Sequence, residues 1–394
     1  MSNSQTLEQQ EKAKQDALKK FLRKASKDYD THIAPLSSNA KVDVDVIPTG
    51  AISLDYILGV GGIPRGRITE IYGPTGGGKT TLALEIAAIC QSNGGLIGFV
   101  DAEHALNRQL TDAIGIDADR FIVAQPDTGE EAIDICRDML NEGIFDMVII
   151  DSAAAMVPKA EIEAESEQQF MGLQARLLSR FCRTTVGPAA ENNVALVVLN
   201  QVRRDLGSYG APERAAGGNG IPFYAALRVE VRTSNSKQIK VGSEVVGTTV
   251  TAKVTKSKLA SPFRTCTYDV IFGQGIDAAG GVLEVATEVG VIERSGNTYY
   301  LRYRGADLTP VEEKLAVGMP KLKEAIDEDE SLFNDIEAAV KAKMLAEDDD
   351  EDDLEEDVED EEADADEKPG ASKPPVPRAK PADPNEDDFF GLEG

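Results

Sequence analysis

The chain has 394 residues, 41% of them hydrophobic, no tryptophan and a formal net charge of −28; this length suits one large core with smaller appendages, since single cores stop growing at roughly 250 to 300 residues. No apolar run approaches the roughly 20 residues of a membrane span, and the polar opening MSNSQTLEQQEKAKQDALKKFL lacks the apolar segment of a secretory signal, so a cytoplasmic protein with no membrane partner is expected. Taken whole, the negative charge argues against a nucleic-acid partner, because affinity for phosphate backbones comes mainly from Lys and Arg.

Apolar residues at Leu7, Ala13, Ala17, Leu18, Phe21, Leu22 and Ala25 share one helical face and predict an amphipathic helix over 7–27. Pro, Ser and Asn from 31 to 41 read as a linker, so 1–41 is a detached helix whose apolar stripe needs a surface, such as a neighbouring copy. Between 42 and 274, short β-rich runs alternate with helical stretches: RITEIY (67–72), LIGFVD (96–101), RFIVAQ (120–125), MVIID (147–151), ALVVLN (195–200), LRVEVR (227–232) and TAKVTK (251–256). This alternation predicts an α/β core of βαβ units with a largely parallel central sheet. Residues 275–345 read as a smaller α/β unit, with helical spacing at Val282, Leu283, Ala286 and Val289, a strand at TYYLRYR (298–304) and further helix near 319–345. From 346 to 394, 22 acidic residues face four basic ones, so this segment carries −18 of the charge and leaves −10 to the rest, a balance that local basic patches override. Low apolar content and a Pro-rich end predict a disordered acidic tail. Cys90, Cys136, Cys182 and Cys266 are widely spaced, without a CxxC pair or His cluster, and read as buried small apolar residues.

The chemistry concentrates in GPTGGGKTT (73–81), where Gly73, Pro74, Thr75, Gly76, Gly77, Gly78, Lys79, Thr80 and Thr81 match the phosphate cradle GxxxxGK[ST] between the strand RITEIY and the helical run LALEIAAIC. Glycines let backbone N–H groups close around phosphates at a helix N-terminus. Lys79 then reaches the β- and γ-phosphates of a nucleoside triphosphate, and the Thr80 hydroxyl coordinates Mg²⁺. Asp151 ends the apolar strand MVIID and suits a carboxylate holding the metal through water, although many buried strands end in Asp. Glu103, just past LIGFVD, stands at the ligand edge of a parallel sheet, placed to polarise an attacking water; a solvated loop acid has the same spacing. Gln201 ends ALVVLNQ with an amide that donates and accepts near a γ-phosphate, and the Gly-rich, Arg-bearing stretch 202–220, too irregular for helix or strand, reads as a nucleotide-ordered switch. A second loop-like stretch at 164–172 precedes a helix bearing Arg176 and Arg180. Around these loops, Arg203 and Arg204 suit a phosphate backbone, while Met171, Leu206 and Tyr209 suit wedging or stacking between bases.

PTGAISLDYILGVGGIPRGRITEIYGP, VDAEHAL, VIIDSAAAMVP, MGLQARLLSR, NQVR, GGNG with PFYAALRVEVR, and TKSKLASPF with FGQGID follow one another as in the RecA family of bacterial-type recombinases, which the chain resembles from about Gln15 to Leu345. The resemblance implies a RecA-type core with a small C-terminal domain, ATP and Mg²⁺ as cofactors, and single- and double-stranded DNA as partners. It implies a homo-oligomeric helical filament, docked through the N-terminal helix, that pairs homologous strands with DNA-stimulated ATP hydrolysis in repair and an SOS-type damage response. By the same resemblance Glu103 is the catalytic base, Gln201 the γ-phosphate sensor, and 164–171 and 202–216 the DNA loops, with Arg176, Arg203, Gly217 and Gly218 as backbone contacts. Lys256 and Lys258, solvated strand residues by spacing alone, are implied to reach the ATP of the adjacent subunit. The chain departs from the family where Gly76 and Gly77 replace a pair of Ser, and where Leu110, with Asn107 before it, replaces a Tyr against adenine. It reads as a divergent member, cellular or virus-encoded. The tail reads either as a solubilising end or as a competitor of DNA for basic loops, and its tip EDDFFGLEG resembles acidic-aromatic segments that dock on partners such as a single-stranded-DNA-binding or mediator protein. A ring helicase on the same core and a phosphotransferase acting on a small molecule are the rival readings.

Overall fold

The computed structural model describes residues 2–29, 33–35, 44–164, 172–203 and 214–359. It opens with α1 (Ser2–Asp28), β1 (Val46–Ile47), α2 (Ile52–Leu58), β2 (Ile63–Pro64), β3 (Ile68–Gly73), α3 (Lys79–Ser92), β4 (Ile97–Asp101), α4 (Arg108–Ile114), β5 (Phe121–Ala124) and α5 (Gly129–Asn141). Then follow β6 (Met147–Asp151), α6 (Lys159–Ile162), α7 (Leu173–Glu191), β7 (Ala195–Arg203), β8 (Arg214–Ala215), α8 (Gly220–Tyr224), β9 (Leu227–Val241), β10 (Glu244–Ser257), β11 (Thr265–Ile271) and β12 (Gly275–Ile276). The last elements are α9 (Ala278–Glu288), β13 (Ile292–Ser295), β14 (Thr298–Arg304), β15 (Thr309–Val317), α10 (Met319–Glu328) and α11 (Glu330–Glu359).

The central sheet has the order β12-β11-β10-β9-β3-β7-β6-β4-β5. From β9 to β5 every pairing is parallel, and β10, β11 and β12 extend it by antiparallel pairing. β4, β6 and the first five residues of β7 are apolar apart from Asp at the ends of β4 and β6, because both of their faces are covered. Ile97, Phe99, Met147, Ile149, Val197 and Leu199 face a core with Leu82, Leu84 and Ile86 of α3. Their neighbours Val100, Val148, Ile150, Leu196 and Val198 face Ile133 and Leu140 of α5 and Leu178 and Phe181 of α7. The period-2 alternation of strand side chains thus builds a helix-sheet-helix sandwich.

A third core gathers Val282, Leu283 and Ala286 of α9, Leu301 of β14, Leu322 of α10 and Ile336 and Val340 of α11, and takes in Ile52 of α2. α11 runs to Glu359, past 346 where the tail was expected to begin; 360–394 lie outside the described residues. β9 and β10 exceed the predicted runs because a two-residue turn at Gly242 (φ 64°) folds them into one hairpin.

Candidate active site

β3 delivers Gly73 to the sheet edge beside β9, so close that a Cβ on Gly73 would meet the Val231 carbonyl oxygen at 2.1 Å. The cradle then turns through Gly76 (φ 73°) and Gly78 (φ 88°) into α3, whose first residue is Lys79. The 14-residue helix directs its unpaired N–H groups and the positive end of its dipole at the cradle. Lys79 Nζ donates to the carbonyls of Gly73 (3.2 Å) and Pro74 (2.9 Å). Burial lowers the pKa of Lys79, while Asp151 and Glu103 act in the opposite direction.

Parallel register assembles the remaining groups at the same edge. Gly73 pairs with Gln201, and Asp101 with Asp151. Thr80 Oγ1 donates to Asp151 Oδ2 at 2.7 Å. Burial pushes the Asp151 carboxyl up to about 6, eased by the Thr80 hydrogen bond and reinforced by the charges of Glu103 and Asp101. The backbone N of Glu103 donates to the Asp151 carbonyl (3.0 Å), and Gln201 Nε2 donates to Glu103 Oε1 (2.9 Å). Asp101, buried at the end of β4, accepts from the N–H groups of Ala105 (3.1 Å) and Leu106 (3.2 Å) and from Gln125 Nε2 (2.9 Å), which fixes the turn that presents Glu103. Lys79, Thr80, Glu103, Asp151 and Gln201 therefore converge where ligands bind in an open α/β sheet.

A cavity of about 450 Å³ adjoins the cradle, lined by 76–81, by Leu110, Ala113 and Ile114, by Thr233, Thr248, Val250 and Val270, and by Ile271 to Gly275. Leu110 lies in its wall; Asn107 does not, because its side chain caps α4 by accepting from Gln109 N (2.8 Å). The sequence reading missed Thr233, whose Oγ1 donates to the Gly76 carbonyl (3.2 Å), and Thr248. They come from the antiparallel strands β9 and β10, far from the cradle in sequence.

Arg176 is exposed on α7, and Arg180 and Arg183 continue its exposed basic stripe along the helix. Gly217 (φ 84°) and Gly218 (φ 75°) pack against the same helix, where added Cβ atoms would meet Leu178 Cδ1 at 2.1 Å and Ala175 Cβ at 3.1 Å. The stretch expected to be irregular from 202 is a strand as far as Arg203, because β8 pairs with the overshooting end of β7, Val202 with Ala215 and Arg203 with Arg214. Met171, Arg204, Leu206 and Tyr209 lie outside the described residues. Lys256 and Lys258 are not brought to this chain's cradle. Lys256 pairs with Arg228, and Arg228 with Glu70 in the middle of β3, short of Gly73 at its end. Their Nζ atoms donate to carbonyls of α8, Lys256 to Pro222 (2.6 Å) and Phe223 (3.1 Å), Lys258 to Phe223 (3.3 Å).

The family model of the RecA N-terminal domain matches residues 13–277. The chain belongs to the RecA family. It is 43% identical to Protein RecA of Thermus thermophilus over 347 residues, covering 86% of this chain and 99% of that protein. To Protein RecA of Syntrophus aciditrophicus it is 48% identical over 258 residues, 65% of this chain and 75% of the other. To that of Chloroherpeton thalassium it is 42% identical over 314 residues, 79% and 85% of the two chains.

The RecA-type site suits MgATP on its own geometry. Thr80 and Asp151 are hard oxygen donors, and the raised Asp151 carboxyl gains most from a cation beside it. Magnesium is commonly held by one or two protein oxygens together with substrate phosphates, and Thr80 and Asp151 would supply those oxygens.

Proposed function

We propose that the protein is an ATP-dependent DNA recombinase that polymerises on single-stranded DNA, pairs it with homologous duplex and exchanges strands, with hydrolysis stimulated by DNA. The observation that carries this reading is Gln201. Its Nε2 holds Glu103 at the ATP edge, while its backbone N–H donates to Asn200 Oδ1 (2.9 Å) and its carbonyl accepts from Ala216 N (2.8 Å), where β7 and β8 flank the 204–213 segment. A change at the γ-phosphate that moves this amide therefore moves the foot of that segment.

Lys79, now turned on backbone carbonyls, is free to turn onto the β- and γ-phosphates and spread the charge that develops on them. Glu103 orients a water in line and takes its proton, and Gln201 fixes the rotamer of Glu103. Magnesium, held through Thr80 and by Asp151 through water, would neutralise phosphate charge. ATP favours the DNA-binding filament because ligand that binds one state better shifts the population toward it, and hydrolysis permits release.

The exposed Leu18 (50%) and Phe21 (57%) of α1 support a docking helix that packs on the next copy; heterologous packing of that kind gives open polymers. Lys256 and Lys258 then serve the neighbour's ATP, and the α7 arginines with Arg203, Gly217 and Gly218 serve the DNA backbone. In this reading 1–41 is the oligomerisation helix and linker, 42–274 the ATPase core, 275–345 the small C-terminal domain and 346–394 an acidic tail. Among the described residues no helix is long and apolar enough to cross a membrane, and we assign the protein to the cytoplasm, in repair and damage response. The test is electron microscopy with single-stranded DNA and a slowly hydrolysed ATP analogue. Continuous helical filaments are expected; closed rings would favour the helicase reading.

A further inference from the structure

Glu70 is a carboxylate in the middle of β3 with no exposed surface, between the buried Thr69 and Ile71. Such a group is costly to bury unless both oxygens are satisfied. Oε1 accepts from Asn200 Nδ2 at 2.9 Å and Oε2 from Arg228 Nε at 2.5 Å. Neither partner is an end point. The same Asn200 amide donates to the Ala216 carbonyl (3.0 Å), and Asn200 Oδ1 accepts from Gln201 N (2.9 Å), so Glu70 holds the residue that clamps β7 to the chain returning after β8. Arg228 lies over the Tyr72 ring at 4.6 Å, and the Tyr72 hydroxyl donates to Thr255 Oγ1 (2.9 Å), next to Lys256. Arg228 is the register partner of Lys256, and its charge, after burial and Lys258, lowers the Lys256 pKa while Glu70 raises it.

Hydrogen bonds thus link Glu103, Gln201, Asn200, Glu70 and Arg228 in one subunit, and the strand pairing of Arg228 with Lys256 extends the line to that lysine. We propose that Glu70 is a positioning residue that couples successive ATP sites: it links the base at the subunit's own ATP to the lysine that reaches the next one, passing the strands that carry the DNA-binding segment. The inference rests on the filament reading above. A carboxylate is required because it alone accepts from both sides; a glutamine keeps one acceptor and turns an N–H donor toward the other partner.

The test uses the full-length Glu70→Gln protein, read by the ATP dependence of hydrolysis at saturating single-stranded DNA. Thermal unfolding with and without MgATP reports folding and nucleotide binding separately. With MgATP stabilisation retained, DNA-stimulated kcat should fall at least about tenfold and the Hill coefficient should fall toward 1, with DNA-independent turnover held within about twofold. Retention of both stimulation and steepness overturns the coupling role. Where Glu70→Gln does not fold, Arg228→Lys and Arg228→Gln decide. Lysine keeps the charge facing Glu70 and should keep most of the stimulation, whereas glutamine should lose it; equal behaviour of the two overturns the proposal. A wild type without DNA stimulation removes the recombinase reading as well, while a stimulated wild type with an unchanged Glu70→Gln removes this inference alone.

Discussion

Replacing Asp151 by asparagine removes a buried charge that the fold holds against its own preference. Only 6% of the residue is exposed, and burial raises its pKa from 3.8 to about 6. The folded carboxyl binds its proton more tightly than the unfolded one, so the group costs nothing below the unfolded pKa. Its cost grows as pH rises through the window from 3.8 to about 6 and is complete above it. A rise of that size corresponds to about 3 kcal/mol at neutral pH. Asparagine keeps an acceptor for the Thr80 hydroxyl and carries no charge. Asp151→Asn should therefore melt about 4 to 6 °C above the wild type at pH 7.5 in EDTA, with the gain falling to about half at pH 5 and to about a fifth at pH 4. The same variant should lose most of the MgATP-induced rise in Tm and most turnover. Scanning calorimetry across that pH series checks the account. A variant that melts at or below the wild type at pH 7.5, or a gain that does not change with pH, would refute it.

Lys79→Arg should keep nucleotide affinity within about tenfold, measured with a fluorescent ATP analogue, and lose turnover by about a hundredfold or more, because a planar guanidinium cannot take the place of a point charge in the cradle. Gly217→Ala places a Cβ at 2.1 Å from Leu178 Cδ1 in a residue with φ 84°; the combined strain should cost about 2 to 4 kcal/mol in urea unfolding. Deletion of 347–394 removes the −18 of charge and should speed loading onto duplex DNA, followed by fluorescence anisotropy, most of all at low magnesium; an unchanged rate would leave the tail only a solubilising role.

The parallel core was legible because its strands are short apolar runs set between helices, and their predicted limits differ by a residue or so for β3, β4, β5 and β6. The cradle was legible for a different reason: its residues are contiguous, and the strand before and helix after them are local features. Glu103, Asp151 and Gln201 were legible as strand ends, and the parallel register that brings them together follows from the βαβ pattern. What did not show was built by long-range antiparallel pairing. Thr233 and Thr248 reach the cavity wall only because β9 and β10 fold back on each other, and both lie outside the apolar runs LRVEVR and TAKVTK that marked those strands. Glu70 was invisible for a related reason. Within RITEIY it looks like an outward-facing strand position, and only the pairing of β3 with both β7 and β9 buries it against Asn200 and Arg228.

The central claim is that this cradle hydrolyses ATP in response to DNA. Steady-state ATP hydrolysis by the purified chain, with and without single-stranded DNA, in magnesium at low salt, tests it most directly. The account predicts stimulation of at least about tenfold that disappears in Lys79→Arg. Equal turnover with and without DNA, in both the full chain and the chain lacking 347–394, would contradict it.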